Sequence, residues 1–191
     1  MEHDTLAVKA TAGGVTAAER EHAVRYLAAT RDRLLETIQG LSDAQWNFKP
    51  SSERWSIAEN MEHMAIVEGR IGEIIGKMGE APADSADRDA RQVDAFVIAN
   101  VPDRSRRVQA PERLAPSGRW TGAGALEHFL QSRVQTEHLL CSAPNLRGRV
   151  LPHPILGPWD GYQWILGAGG HCARHTSQIL EVKADPNFPA A

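Results

Sequence analysis

The strongest constraint on the fold is a helical pattern of apolar residues that recurs along the chain and twice follows a capping box. Thr16 with Glu19, and Ser56 with Glu59, have the spacing in which two side chains satisfy free backbone groups at a helix start. After each pair, apolar residues recur every three or four positions, which is the period of a helix with one buried face. The pattern therefore predicts helices that pack against one another.

The same pattern sets the number and order of the helices. It predicts long helices over about 16–39, 56–79, 121–142 and from Gly157-Pro158 to about Lys183, with shorter helical segments near 42–46 and 86–99. No segment is typical of a strand. Four long helices with one long connection, between the second and the third, predict an all-α fold: a four-helix bundle with a crossover.

The apolar residues of each helix predict which face is buried. The stripes comprise Val24, Leu27, Leu34, Leu35 and Ile38 in the first helix, Leu126, Phe129, Leu130, Val134 and Leu140 in the third, and Trp164, Ala168, Cys172, Ile179 and Val182 in the fourth. Gly167, Gly169 and Gly170 weaken the middle of the fourth helix. They indicate either a close approach of another element or a local break.

Length and composition restrict the class of protein. A chain of 191 residues with a net charge of −3 suits one globular domain and does not favour binding to nucleic acid or to an anionic membrane. We expect a flexible N-terminal arm over 1–15 and a single domain over 16–191. The acidic start, Met1-Glu2-His3-Asp4, and the presence of only two cysteines predict a cytoplasmic protein without a secretory signal.

The connection between the second and third long helices is rich in arginine. Two interpretations stay open: a solvated connection whose arginines pair with acidic helices, or an anion-binding lid over a site. The arginines are Arg88, Arg91, Arg104, Arg106, Arg107, Arg113 and Arg119.

Three histidines could carry chemistry. His171 and His175 are four residues apart in the fourth helix, so both rings leave one face, and that face belongs to the stripe predicted to turn inward. Two imidazoles so placed can bind one metal ion. His63, in the second long helix, is the natural third ligand. The alternative is that these are histidines at the edge of the core, hydrogen-bonded to polar neighbours.

Two segments together resemble a known family. Trp55-Ser56-Ile57-Ala58-Glu59 leading to His63, followed by the run from His171 to Ile179, is similar to the DinB-like superfamily, and the resemblance spans about residues 16–184. It implies a four-helix bundle that binds a divalent metal ion through three histidines, here His63, His171 and His175. It also implies a homodimer.

The resemblance favours a metal-dependent enzyme that acts on a small molecule. It implies an S-transferase that uses a low-molecular-weight thiol activated by the metal ion; the alternatives are a metal-dependent hydrolase and a non-catalytic, dimerising bundle that binds metal. Three histidines suit Zn, Ni, Fe or Mn. Glu59 could give acid or base assistance or only cap its helix, and Gln178 could orient a ligand or only satisfy a helix contact.

Overall fold

The computed structural model describes residues 14–105 and 108–190. All but the last two residues of the predicted N-terminal arm, 1–15, lie outside this range. Within it, no helix is both long and apolar enough to cross a membrane. The helices are α1 Ala17–Ile38, α2 Asp43–Asn47, α3 Ile57–Gly76, α4 Ala90–Asn100, α5 Gly122–Ser142 and α6 Gly161–Lys183.

The four long helices, α1, α3, α5 and α6, form the body of the molecule. Helix α3 packs against α5 and α6, α1 packs against α6, and the shorter α4 covers another part of α6. The predicted capping boxes are confirmed: the side chains of Thr16 and Ser56 accept from the backbone of Glu19 and Glu59, whose carboxylates accept in return. The chain is therefore mostly helical, as predicted.

The prediction that the chain has no strand is wrong. Strands β1, Leu151–His153, and β2, Gly157–Trp159, form an antiparallel pair in which Leu151 faces Trp159. Gly157-Pro158 therefore belongs to this hairpin and does not begin a helix. Helix α6 begins after Asp160, whose side chain accepts a hydrogen bond of 2.8 Å from the backbone of Gln163, because an Asp-x-x-Gln capping box supplies the missing helix partners there.

Two predicted core positions face solvent. Val24 of α1 and Val134 of α5 are 41% and 65% exposed. Their places in the interior are taken by neighbours one residue earlier, Ala23 and Arg133. In α5 the buried positions keep the helical spacing of three or four residues, but two of them, Arg133 and Thr136, are polar. Polarity alone therefore does not identify the buried face. In the C-terminal two thirds of α5 the buried positions are Phe129, Arg133, Thr136 and Leu140, which follow the buried Gly122 and Ala125.

The glycines of α6 mark close approaches, and the helix has no break. A Cβ atom added at Gly167 would lie 2.5 Å from the Trp159 ring, and one added at Gly169 would lie 2.6 Å from the Tyr26 ring. One added at Gly170 would lie 2.9 Å from a side-chain atom of Val101. Helix α6 thus accepts the hairpin, α1 and the end of α4 on three sides because these positions carry no side chain.

Candidate metal centre

The structure brings together the three histidines that the sequence singled out. His63 comes from α3, and His171 and His175 come from α6, where their spacing puts both rings on one face. One ring nitrogen from each lies within 4.8 Å of the other two, and the Nε2 atoms of His63 and His171 are 3.1 Å apart. Among the described residues, no other group of three histidine, cysteine or acidic side chains converges in this way.

The ring of His63 is oriented by a backbone carbonyl. Its Nδ1 lies 2.7 Å from the carbonyl oxygen of Leu114, which can only accept, so Nδ1–H is the donor. A neutral His63 ring therefore keeps its lone pair on Nε2, the atom that faces His171. Carbonyl and carboxylate groups orient metal-binding histidines in the same way in other proteins.

The ring of His175 is oriented by Asn60. The fully buried Asn60 donates from its Nδ2 to the carbonyl of Ser56 at 2.9 Å, which leaves its Oδ1 as an acceptor. That oxygen lies 3.0 Å from Nδ1 of His175, so Nδ1–H donates and the lone pair is on Nε2. Asn60 and His63 are three residues apart in α3, so one helix supplies both a ring and the partner of another ring.

Burial keeps the three rings neutral. Loss of solvent lowers the pKa of His63, although its hydrogen bond to Leu114 acts in the opposite direction. The pKa values of His171 and His175 fall well below the ordinary value, first because of burial and then because a charge on one ring would repel its neighbours. Neutral imidazole is the form that binds a metal ion.

The donor set fits a divalent metal ion. A Zn–N bond of about 2.0–2.1 Å in tetrahedral geometry places two ligand nitrogens about 3.3–3.4 Å apart. The 3.1 Å separation between His63 and His171 is close to that range. The oriented rings of His63 and His175 present lone pairs, so the cluster could hold an ion through three nitrogens.

An aromatic side chain closes one side of the cluster. The half-buried ring of Trp55 lies 4.9 Å from the ring of His63 and 6.1 Å from that of His175, and the rings of Trp55 and His175 are nearly parallel. Trp55 immediately precedes Ser56, the N-cap of α3, so the capping box that starts the helix also positions the tryptophan. Trp55 therefore packs beside two of the three rings.

The two acid–base or orienting candidates have other partners. Glu59 accepts from the backbone N–H of Ser56 at 2.7 Å with one oxygen and from Lys49 at 2.8 Å with the other. The side-chain oxygen of Gln178 accepts from Arg104 at 2.9 Å. These contacts favour the capping role for Glu59 and a helix contact for Gln178; any part in chemistry stays a prediction.

The arginine-rich connection favours pairing over an anion-binding lid. Three of its arginines form ion pairs with carboxylates, and Arg106 and Arg107 lie outside the described residues. The pairs are Arg88 with Asp84, Arg104 with Glu181, and Arg119 with Glu62.

Three other histidines and the thiol of α6 lie outside the cluster. His128 and His138 of α5 are exposed, and His153 packs against Trp159 in the hairpin. Cys172 is 1% exposed, and burial is the main reason why the pKa of its thiol is raised. A buried, protonated thiol is a poor nucleophile.

Sequence reasoning missed Asn60, Glu62 and the carbonyl of Leu114. Asn60 carries a signal, because it lies one turn before His63 and one turn after Ser56, where an asparagine is an uncommon choice for a buried helix face. Glu62 resembles an ordinary surface residue of an amphipathic helix, although it is 2% exposed. A backbone carbonyl has no sequence signal, since every residue carries one.

The comparisons with known proteins establish the family. The sequence model of the DinB superfamily matches residues 26–179. The uncharacterized protein YuaE of Bacillus subtilis (strain 168) is 30% identical over an alignment of 151 residues that covers 76% of this chain and 88% of that protein. No solved structure matches the chain. The chain belongs to the DinB superfamily, as the motifs around His63 and His171 predicted.

Proposed function

We propose that the protein is a metal-dependent S-transferase of the DinB superfamily, in which a low-molecular-weight thiol loses its proton and its sulfur forms a bond to an electrophilic carbon of a small molecule, displacing the leaving group there. In this proposal His63, His171 and His175 hold one divalent ion, and the four long helices form a bundle of the DinB type with a crossover between α3 and α5. The observation that carries the proposal is the convergence of three ring nitrogens within 4.8 Å.

The residues around the cluster support an open, reactive centre. Structural zinc sites are usually closed by four protein ligands, whereas three histidines leave room for a small molecule. A divalent ion held there would favour the deprotonated form of a thiol or a water molecule that binds to it. Leu114 and Asn60 hold the rings of His63 and His175, and Trp55 packs beside the same two rings.

The partners of the nearby carboxylates favour a thiol over water. A free thiol has a pKa of about 8.5, whereas the pKa of bulk water is about 15.7. A metal ion therefore needs to lower the pKa of a bound thiol much less than that of bound water. Glu59 lies one turn before His63 in α3, and Glu62 immediately precedes it. Both carboxylates already accept several hydrogen bonds. With Glu59 and Glu62 engaged in these contacts, we infer that a thiol, which loses its proton more readily than water, is the nucleophile at this centre.

The proposal is tested by the thiol dependence of turnover. The full-length protein is loaded with Zn²⁺ or Ni²⁺ and assayed with monochlorobimane, with and without a small thiol, beside His171→Ala and His128→Ala. We expect the natural sequence to turn over monochlorobimane only when both thiol and metal are present. His171→Ala should abolish this turnover, and His128→Ala, at an exposed position, should retain it. Hydrolysis of an ester without thiol would point to a hydrolase, and metal binding without any turnover would point to a non-catalytic bundle.

A further inference from the structure

Glu62 and His63, which are consecutive residues of α3, both hold one segment of the connection between α4 and α5. We call residues 112–119 the strap. Its first part is a short 3-10 turn, Glu112–Leu114, and the carbonyl of Leu114 accepts from His63. Its last part contacts Glu62. Two consecutive residues of α3 therefore fix the strap at two points.

Glu62 holds the strap by its backbone. The carboxylate accepts from the N–H groups of Ser117 at 2.9 Å, Gly118 at 2.9 Å and Arg119 at 3.4 Å, and from the side chain of Arg119 at 3.1 Å. Burial alone would raise the pKa of Glu62, but these backbone hydrogen bonds lower it below its ordinary value. A carboxylate that is 2% exposed and surrounded by donors is a firm attachment point.

Gly118 gives the strap the shape that this attachment requires. Its φ angle is +76°, in the left-handed region that glycine adopts readily and other residues avoid. A Cβ atom added there would meet nothing within 4 Å. A side chain at this position would therefore strain the backbone of the strap without colliding with any neighbour.

We propose that the strap orients the metal-binding ring of His63 and that Glu62 is a positioning residue, because it holds the strap in place. Glu62 holds Ser117 and Gly118, and so keeps the Leu114 carbonyl, three residues earlier, where it fixes His63 with Nε2 directed at the cluster. Because coupling between two binding events is reciprocal, metal bound at His63 holds the strap in turn. This inference rests on the proposed metal site.

The test compares the metal affinities of matched variants of the full-length protein. Zn²⁺ affinity is measured by competition with a chelating indicator for the natural sequence, Glu62→Gln, Gly118→Ala and Gly40→Ala. Gly40 is the control, because it has a φ of +72° and open space around it but lies at the end of α1. We expect Glu62→Gln to weaken binding about tenfold, as is common for groups that orient metal ligands. Gly118→Ala should weaken it severalfold and Gly40→Ala should leave it unchanged.

A second readout follows the strap itself. Hydrogen exchange of the Ser117 and Gly118 amides should slow when Zn²⁺ is added to the natural sequence. If Glu62→Gln does not fold, the inference is still tested by the Zn²⁺ affinity of Gly118→Ala and by hydrogen exchange in the natural sequence. The inference is overturned if both strap variants bind Zn²⁺ as the natural sequence does, or if Zn²⁺ leaves exchange in the strap unchanged. Failure of the natural sequence to bind Zn²⁺ would instead overturn the proposed metal site.

Discussion

At the scale of single residues, the centre depends on the groups that decide which ring nitrogen carries a proton. Imidazole binds metal through a lone pair, so a histidine whose Nε2 were protonated would not bind at that atom. Asn60 and the Leu114 carbonyl each accept from an Nδ1–H. These two acceptors leave the lone pairs of His63 and His175 on Nε2, where they can bind a metal ion.

Removing the amide of Asn60 should weaken metal binding. In Asn60→Leu, a side chain of similar size no longer accepts from His175, so the ring loses its fixed tautomer and orientation. We expect Zn²⁺ affinity to fall about tenfold in a chelator competition assay. Asn100→Leu is the control, because Asn100 also donates to the carbonyl four residues earlier, at 2.8 Å, but is exposed. Equal affinities of the two variants would contradict this role of Asn60.

At the scale of elements, a buried ion pair joins the four long helices. Arg133 of α5 donates to both oxygens of Glu68 of α3 at 2.7 and 3.0 Å, and both side chains are almost fully buried. Arg133 also donates to the carbonyl of Leu27 in α1 at 2.9 Å and lies 3.5 Å from that of Ala168 in α6. The charge of Glu68 offsets the cost of burying Arg133.

Breaking this pair on one side should be costly. Arg133→Met leaves the Glu68 carboxylate buried without a partner, and we expect the free energy of unfolding to fall by about 3–5 kcal/mol in urea titrations. The double variant Arg133→Met/Glu68→Leu replaces both charges by apolar groups of similar size and should recover most of the loss. If the double variant were less stable than Arg133→Met, the buried charge would not be the cause.

The hairpin β1–β2 should make stability depend on pH. Nδ1 of His153 accepts from the backbone of Ile155 and Leu156, and burial lowers the pKa of His153 from 6.5 to about 4. Between these two values the unfolded chain binds the proton more readily, so the free energy of unfolding falls as the pH falls from 6.5 towards 4. Because the ring is partly exposed and solvent screens its charge, the loss stays below about 3 kcal/mol.

A single substitution isolates this contribution. His153→Asn keeps an acceptor near the position of Nδ1 but does not titrate. Chemical unfolding between pH 7 and pH 4 should show a smaller loss of stability for His153→Asn than for the natural sequence. Parallel pH profiles of the two proteins would show that His153 does not carry the effect.

At the scale of the whole molecule, the sequence predicted what depends on local chemistry and periodicity. The capping boxes at Thr16 and Ser56, and the spacing of His171 and His175, are local, and the structure contains both helix starts and places the two rings together. The starts of α1 and α3 are each predicted from a pair of residues three apart, because the side chains that cap the first backbone N–H groups lie close in sequence.

Long-range contacts decided most of what the sequence could not show. Arg133 belongs to the buried face of α5 because Glu68 of another helix compensates its charge, whereas apolar Val134 beside it faces solvent. The hairpin, by contrast, is local, and it was missed because strands of three residues are too short to show an alternating pattern. Glu62 could not be assigned because its partners are more than fifty residues away.

The metal content of the purified protein tests the central proposal most directly. Elemental analysis is carried out on the full-length protein beside His63→Ala, His171→Ala and the exposed control His128→Ala. We predict about one divalent ion per chain for the natural sequence and for His128→Ala, and none above background for the two cluster variants. Equal metal content in the natural sequence and His171→Ala would contradict a metal centre at these three histidines.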